Sequence, residues 1–191
     1  MTIKILIGSP IHQKPEILEL FLQSLQRINK ENFTLSYLFI DDNVNEISSN
    51  YLKEFQQNNA DVTILKSAYH DFYVTNDHTH QWTNNLVWKV ANFKNEIINY
   101  CLEREFDYLF LIDSDILINP NTLSHLVSTE KNIISEIFWT QWTPNHVALP
   151  QVWYSDLYTQ IKLAPNESIR DLSEEEINKR HNADSKNKCV C

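Results

Sequence analysis

Glycine is almost absent from this chain: Gly8 is the only one in 191 residues. Glycine-rich phosphate loops depend on a close backbone approach that any side chain obstructs. A Walker loop, a dinucleotide fingerprint and the glycine-rich loop of sugar nucleotidyltransferases are therefore excluded. A nucleotide diphosphate bound here would have to be held by side chains and a metal. Positive charge is also scarce, with 16 Lys and Arg against 25 Asp and Glu and a formal net charge of -9. Nucleic-acid binding over a broad basic surface needs clustered Lys and Arg, so nucleic acid is excluded as a partner. Cysteine numbers 3, an odd count, with Cys101 in a helical pattern and Cys189 and Cys191 in a polar tail. No disulfide framework follows from that. No apolar run is long enough to cross a bilayer, and Met1 to Leu6 reads as the start of a strand, not as a secretory leader. The expectation is a cytoplasmic chain with no transmembrane segment.

What is present is the composition of a folded protein: 42% hydrophobic and 12% aromatic residues, with charges scattered along the chain. The length suits one domain over residues 1–191. Ile3 to Ile7 is a β-branched run that Gly8-Ser9-Pro10 should halt, giving a buried strand that feeds a loop. After Pro15, the residues Leu18, Phe21, Leu22, Leu25 and Ile28 recur at helical spacing. Leu35 to Ile40 predicts a second strand, ending in Asp41-Asp42-Asn43, then a helix around Ser49 to Gln57 and a strand at Val62 to Leu65. A polar, aromatic-rich connection from Tyr69 to Asn85 is longer than a structural link requires, and part of a ligand site is expected there. A helix over Val87 to Arg104 follows. Tyr108 to Ile112 then predicts a strand buried on both faces, ending at Asp113-Ser114-Asp115. Pro120 and Asn121 open a helix through Leu126, and Ile133 to Phe138 predicts a further strand. This alternation of strand and helix implies an α/β fold with a parallel sheet.

In open α/β sheets ligands collect at the carboxyl ends of the strands. Three strand ends deliver Ser9, the Asp41-Asp42 pair and the Asp113/Asp115 pair to that edge. Carboxylates two residues apart can point the same way. They repel unless neutralised, and a hard divalent cation, Mn²⁺ or Mg²⁺, does this while completing its shell with water and phosphate oxygens. Asp113 and Asp115 are thus the expected metal ligands.

Here the sequence resembles the GT-A glycosyltransferases, above all the family 2 type, whose DxD motif follows a hydrophobic strand as Asp113-Ser114-Asp115 does. Phe39-Ile40-Asp41-Asp42-Asn43 resembles that family's second strand end, which implies Asp42 as the reader of the nucleobase, with Asp41 its neighbour. Ser9-Pro10 occupies the first-loop position that lies against the nucleoside, and Lys94-Asn95 falls where the family often has Arg-Asn. The resemblance covers roughly the first 140 residues. It implies a Rossmann-like α/β/α sandwich with a mostly parallel central sheet. Residues 1–140 would be the nucleotide-sugar-binding core, and 141–191 a partial acceptor-side region or truncated tail. The implied function is metal-dependent transfer of a sugar from a nucleotide-diphospho-sugar, UDP-linked as the first expectation, to a glycan, lipid or protein acceptor. The metal would stabilise the diphosphate leaving group.

Lys94 is also unusual on its own terms, since it shares a helical face with Val90, Ile97, Ile98 and Cys101. It either meets donor phosphate or extends its amine to water past a packed stem. Downstream of the DxD only Asp156 offers itself as a general base, and its surroundings do not match the family's base motif. His70, Asp71, Asp77, His78 and His80 lie close in sequence without zinc-ligand spacing. Trp139, Trp142, Trp153 and Tyr154 suit sugar stacking or plain packing equally, and Glu174-Glu175-Glu176 suits a helix start. Two rivals remain. A haloacid-dehalogenase-type phosphohydrolase also carries Asp-x-Asp after a strand, but it places the motif first and does not follow it with Ile116. A non-catalytic nucleotide-sugar-binding module would bind donor without transfer.

Overall fold

The computed structural model describes residues 2–68, 75–76, 79–80, 83–137, 139–141, 148–150, 164–165, 172–173, 175–177 and 179–180. Contacts within the chain gather into two units, Met1–Thr129 and Glu130–Cys191. In the first, strands and helices follow in the order β1 (Ile3–Ile11), α1 (Pro15–Gln26), β2 (Phe33–Asp41), α2 (Glu46–Asn58) and β3 (Val62–Lys66). Then come β4 (Thr75–Asn76), β5 (Thr79–His80), α3 (Asn84–Glu103), β6 (Tyr108–Leu111) and α4 (Thr122–Ser128). The main sheet has four strands in the order β3-β2-β1-β6, and every neighbouring pair in it is parallel. The expected α/β fold with a parallel sheet is what the chain forms. β4 and β5 make a short antiparallel ladder of their own inside the long connection before α3.

The sheet's two faces are assigned by alternation along the strands. Ile5, Ile7 and Ile11 of β1 join Tyr37 and Phe39 of β2 in one buried cluster, with Leu18, Phe21 and Leu25 of α1 and Leu52 and Phe55 of α2. The intervening residues, Leu6, Leu38 and Ile40, turn the other way and pack on Phe93, Ile97 and Cys101 of α3. Helices therefore cover both faces, α1 and α2 on one and α3 on the other. Local signals set the helix starts. Pro15 occupies the first turn of α1, where a missing N–H costs nothing. Asn45 accepts from Ile47 N at 2.8 Å, and Thr83 accepts from Leu86 N at 3.2 Å, capping α2 and α3.

Three expectations need correction. Gly8-Ser9-Pro10 does not halt the first strand: β1 runs to Ile11, paired with β2 along its whole length. The geometry permits this because the Gly8 carbonyl accepts from Ile112 N on the β6 side and the Ile11 carbonyl accepts from Asp42 N on the β2 side. Pro10 therefore aims its absent N–H toward β6, whose pairing with β1 has ended at Gly8. Second, the strand Tyr108–Leu111 is not buried on both faces. It is an end strand of the four-stranded sheet, and Tyr108 and Leu111 remain 38% and 37% exposed. Third, residues 133–137 form no strand. Ile133 is 95% exposed, and an apolar run becomes a strand only where a ladder receives it.

In the second unit, β7 (Trp139–Thr140) pairs antiparallel with β8 (Leu149–Pro150). The Ser173 hydroxyl accepts from Glu176 N at 3.2 Å, so the expected acidic helix start is capped by its serine. Arg180 pairs with Glu176 at 3.1 Å. Among the described residues no helix is long and apolar enough to cross a membrane.

The single glycine now has a physical reason. A Cβ on Gly8 would fall well inside contact distance of the Ile97 Cγ2, and Ile97 is fully buried, so α3 can cross β1 this closely only over glycine. Gly8→Ala should destabilise the protein by about 1–3 kcal/mol, the usual cost of overpacking. Urea unfolding of Gly8→Ala, Ile97→Ala and the double variant checks this. The double variant should lose less stability than the two single variants added together, and strict additivity would refute the contact.

Candidate functional site

The carboxyl ends of all four strands of the main sheet lie on one edge, and the alternation that sorts the core also sorts the polar residues there. On the α1/α2 face stands Asp41, 4% exposed. Its carboxylate accepts from Asn43 N at 3.1 Å and Asn43 Nδ2 at 2.7 Å, from Ser49 Oγ at 3.2 Å and from Lys66 Nζ at 3.0 Å. Burial alone would raise its pKa; the donors, Lys66 first, hold it below the ordinary carboxylate value. These contacts tie the end of β2 to the start of α2 and the end of β3.

Asp42 turns to the α3 face. Lys89 of α3, 4% exposed, places its ammonium 2.7 Å from the Asp42 carboxylate, whose side chain is 9% exposed. His12, just beyond β1, donates from Nδ1 to the Asp42 carbonyl at 2.7 Å and lies 3.4 Å from the same carboxylate. A carbonyl can only accept, so the Nδ1 carries a proton. Burial would raise the Asp42 pKa, but hydrogen bonds from His12, Lys89 and Ser67 hold it below the ordinary range. Each buried charge requires the other, because leaving one alone in this setting costs several kcal/mol, about 3–5.

At the end of β6, Asp113 and Asp115 are exposed while Ser114 between them is buried. Lys94 of α3 sits 3.2 Å from the Asp113 carboxylate, with the two side chains 39% and 63% exposed. One helix thus serves two strand ends, Lys89 reaching Asp42 and Lys94 reaching Asp113.

Of the residues singled out in the sequence, Asp42, Asp113 and Lys94 come to the α3 face together. Pro10 lies on the same face by register. Ser9 is fully buried on the opposite face, with its hydroxyl donating to the Pro10 carbonyl at 3.3 Å, and Asp41 shares that side. Asn95 is exposed on α3 and Ser114 is buried. Asp156, Trp142, Trp153, Tyr154, His70, Asp71, Asp77, His78, Glu174, Cys189 and Cys191 lie outside the described residues; Trp139 is 49% exposed. Among the described residues no group of three or more His, Cys, Asp or Glu gathers as a closed metal site. The available oxygen donors are the exposed Asp113 and Asp115, suited to an ion that takes the rest of its shell from phosphate and water.

Two residues escaped the sequence reading. Lys89 belongs to the buried stripe Lys89, Phe93, Ile97 and Cys101, and its spacing of four from Phe93 was the available signal. His12 had no signal of its own; only the extension of β1 through Pro10 brings it beside Asp42.

The family model described as glycosyltransferase family 25, N-terminal domain, matches residues 2–143. The chain belongs to this family. The glycosyltransferase domain thus covers the four-stranded sheet and the edge just described. The crystal structure of S. aureus TarS 1-349 is similar at a TM-score of 0.44 and 15% identity, over 66% of this chain and 32% of that one. The chain therefore spans about a third of the length of that structure. No curated protein matches.

The His12–Asp42 contact gives the glycosyltransferase domain a pH signature. The hydrogen bond that its ring donates to the Asp42 carboxylate raises the His12 pKa above its ordinary 6.5 against the opposing effect of burial. A raised folded value means stabilisation that is fully present below pH 6.5 and lost as pH rises through the folded pKa. The stability difference between wild type and His12→Ala, from urea unfolding, should be larger at about pH 6 than at about pH 9. A difference that is equal or larger at the higher pH would count against a charged His12 in the folded protein.

Proposed function

We propose that this domain binds the nucleoside diphosphate part of a nucleotide-sugar on the α3 face of the sheet's carboxyl edge and transfers the sugar to an acceptor. The observation that carries this reading is the convergence of Asp42 and Asp113 from two strand ends on Lys89 and Lys94 of one helix, with His12 from a third strand end against Asp42. Membership of a glycosyltransferase family supports it.

Asp113 and Asp115 would hold Mn²⁺ or Mg²⁺. Their exposure and oxygen chemistry fit such an ion, with two carboxylates from the protein and the remaining positions filled by diphosphate and water. The ion supplies Lewis-acid stabilisation of charge developing on the leaving diphosphate. The chain's own residues do the rest. Asp42, kept ionised by its donors, accepts from a base that offers a ring N–H, which uracil and guanine have and cytosine lacks. Uracil is the first expectation, from the family resemblance at Asp42. Lys94, on the rim of the same face, offers charge to the phosphates. Pro10 and Ser9 close the edge beside the nucleoside through the β1 backbone, and Ser114 is buried between the two metal-holding aspartates. The candidate general base toward the acceptor is Asp156, which follows the DxD motif in sequence.

Calorimetric titration of UDP, GDP, CDP and ADP, with and without Mn²⁺, tests the reading. One diphosphate, expected to be UDP, should bind only with metal, and Asp115→Asn should abolish that binding. If none of the four binds under either condition, the donor-site reading is wrong. Incubation with the matching nucleotide-sugar then separates transfer or donor hydrolysis from binding alone.

A further inference from the structure

We propose that Lys94 is an exchangeable counter-ion of the metal site: it neutralises Asp113 before the metal arrives, is displaced by the ion, and is then taken up by the donor's diphosphate. This rests on the donor-site reading above and adds a regulation of that site. The observation is the 3.2 Å ion pair between the Lys94 ammonium and an Asp113 carboxylate oxygen, within an edge that Asp115 also makes acidic.

Two features make this pair exchangeable where the neighbouring one is fixed. Lys89 and Asp42 are 4% and 9% exposed, so neither can be released without leaving a charge buried. Lys94 and Asp113 are 39% and 63% exposed. Water can replace either partner, and such pairs contribute little net stability. A divalent cation bound to Asp113 would compete for the same oxygens and repel the adjacent ammonium. The displaced Lys94 remains on α3 beside the strand end, held there by the packing of Ile97 and Phe93 on the sheet. A diphosphate bridging to the metal then meets a second, unpaired positive charge within reach of the side chain.

The consequence is coupling. Metal alone binds weakly, because it must displace a resident cation. Diphosphate strengthens metal binding because it gives that cation a new partner, and by linkage metal strengthens diphosphate binding by the same factor. Lys94→Met removes both effects: metal alone should bind tighter, and the mutual enhancement should shrink. Lys94→Arg keeps the charge and should retain the coupling.

The test measures Mn²⁺ affinity from the electron paramagnetic resonance signal of free Mn²⁺. The protein is wild type, Lys94→Met, Lys94→Arg or Asp115→Asn, each alone and with saturating UDP or GDP. The expected result is Mn²⁺ binding about two- to fivefold tighter in Lys94→Met than in wild type without nucleotide, the range an exposed ion pair can supply. The enhancement by nucleotide should be smaller in Lys94→Met and near wild type in Lys94→Arg. Unchanged or weaker Mn²⁺ binding in Lys94→Met, with wild type still showing nucleotide-enhanced binding that Asp115→Asn loses, overturns the exchange and leaves the donor site standing. Absence of Mn²⁺ binding to wild type, with or without nucleotide, overturns both.

Discussion

The ion pair between Lys89 and Asp42 is the constraint around which the site is arranged. Both charges lie out of water, 2.7 Å apart, so α3 cannot rotate or slide without separating them. Further along the same helical stripe, Ile97 crosses β1 over the single glycine at a distance that admits no side chain. The helix is thus fixed at one end by charge and in the middle by packing. Its position across the strand ends follows, and with it the placement of Lys94 beside Asp113. The surface pair is a product of the buried one, which is why it can be loose without the edge losing its shape.

The same alternation divides the work of the two adjacent aspartates. Asp41 faces α2 and is consumed by Asn43, Ser49 and Lys66. Asp42 faces α3 and meets Lys89, His12 and Ser67. A one-residue change in register would exchange these roles and send the charge held by Lys89 into the opposite core. The pairing of all nine residues of β1 with β2 protects that register.

Much of this was legible in the residue order. Apolar runs broken by polar strand ends announced a parallel sheet, and Asp113-Ser114-Asp115 after Tyr108 to Ile112 announced the acidic strand end. The failures have specific causes. Gly8-Ser9-Pro10 reads as a break because glycine and proline usually interrupt pairing; here Pro10's missing donor points where pairing has ended, and Gly8 answers a helix more than eighty residues away in sequence, at Ile97. Ile133 to Phe138 reads as a strand because its composition suits one, but composition cannot provide a neighbouring ladder for residues 133–137. Lys94 drew attention as the charged residue on an apolar face, whereas the buried charge is Lys89. Starting the helix at Val87 placed Lys89 in its first turn, where a charge looks ordinary. The true start at Asn84, capped by Thr83, sets Lys89 in line with Phe93 and Ile97.

A donor site on the α3 face of this edge is most directly tested by backbone amide NMR of the intact chain with substoichiometric Mn²⁺ in the presence of UDP, because the paramagnetic ion erases signals only near where it binds. The predicted result is selective loss at Ile112 to Asp115, Lys94, His12 and Asp42, with the amino ends of the strands, Lys4 and Thr34, unchanged. Signals lost around Asp71 to Asp77 or Glu174 to Glu176 while Asp113 to Asp115 stay sharp would contradict it, and so would a spectrum that Mn²⁺ leaves untouched.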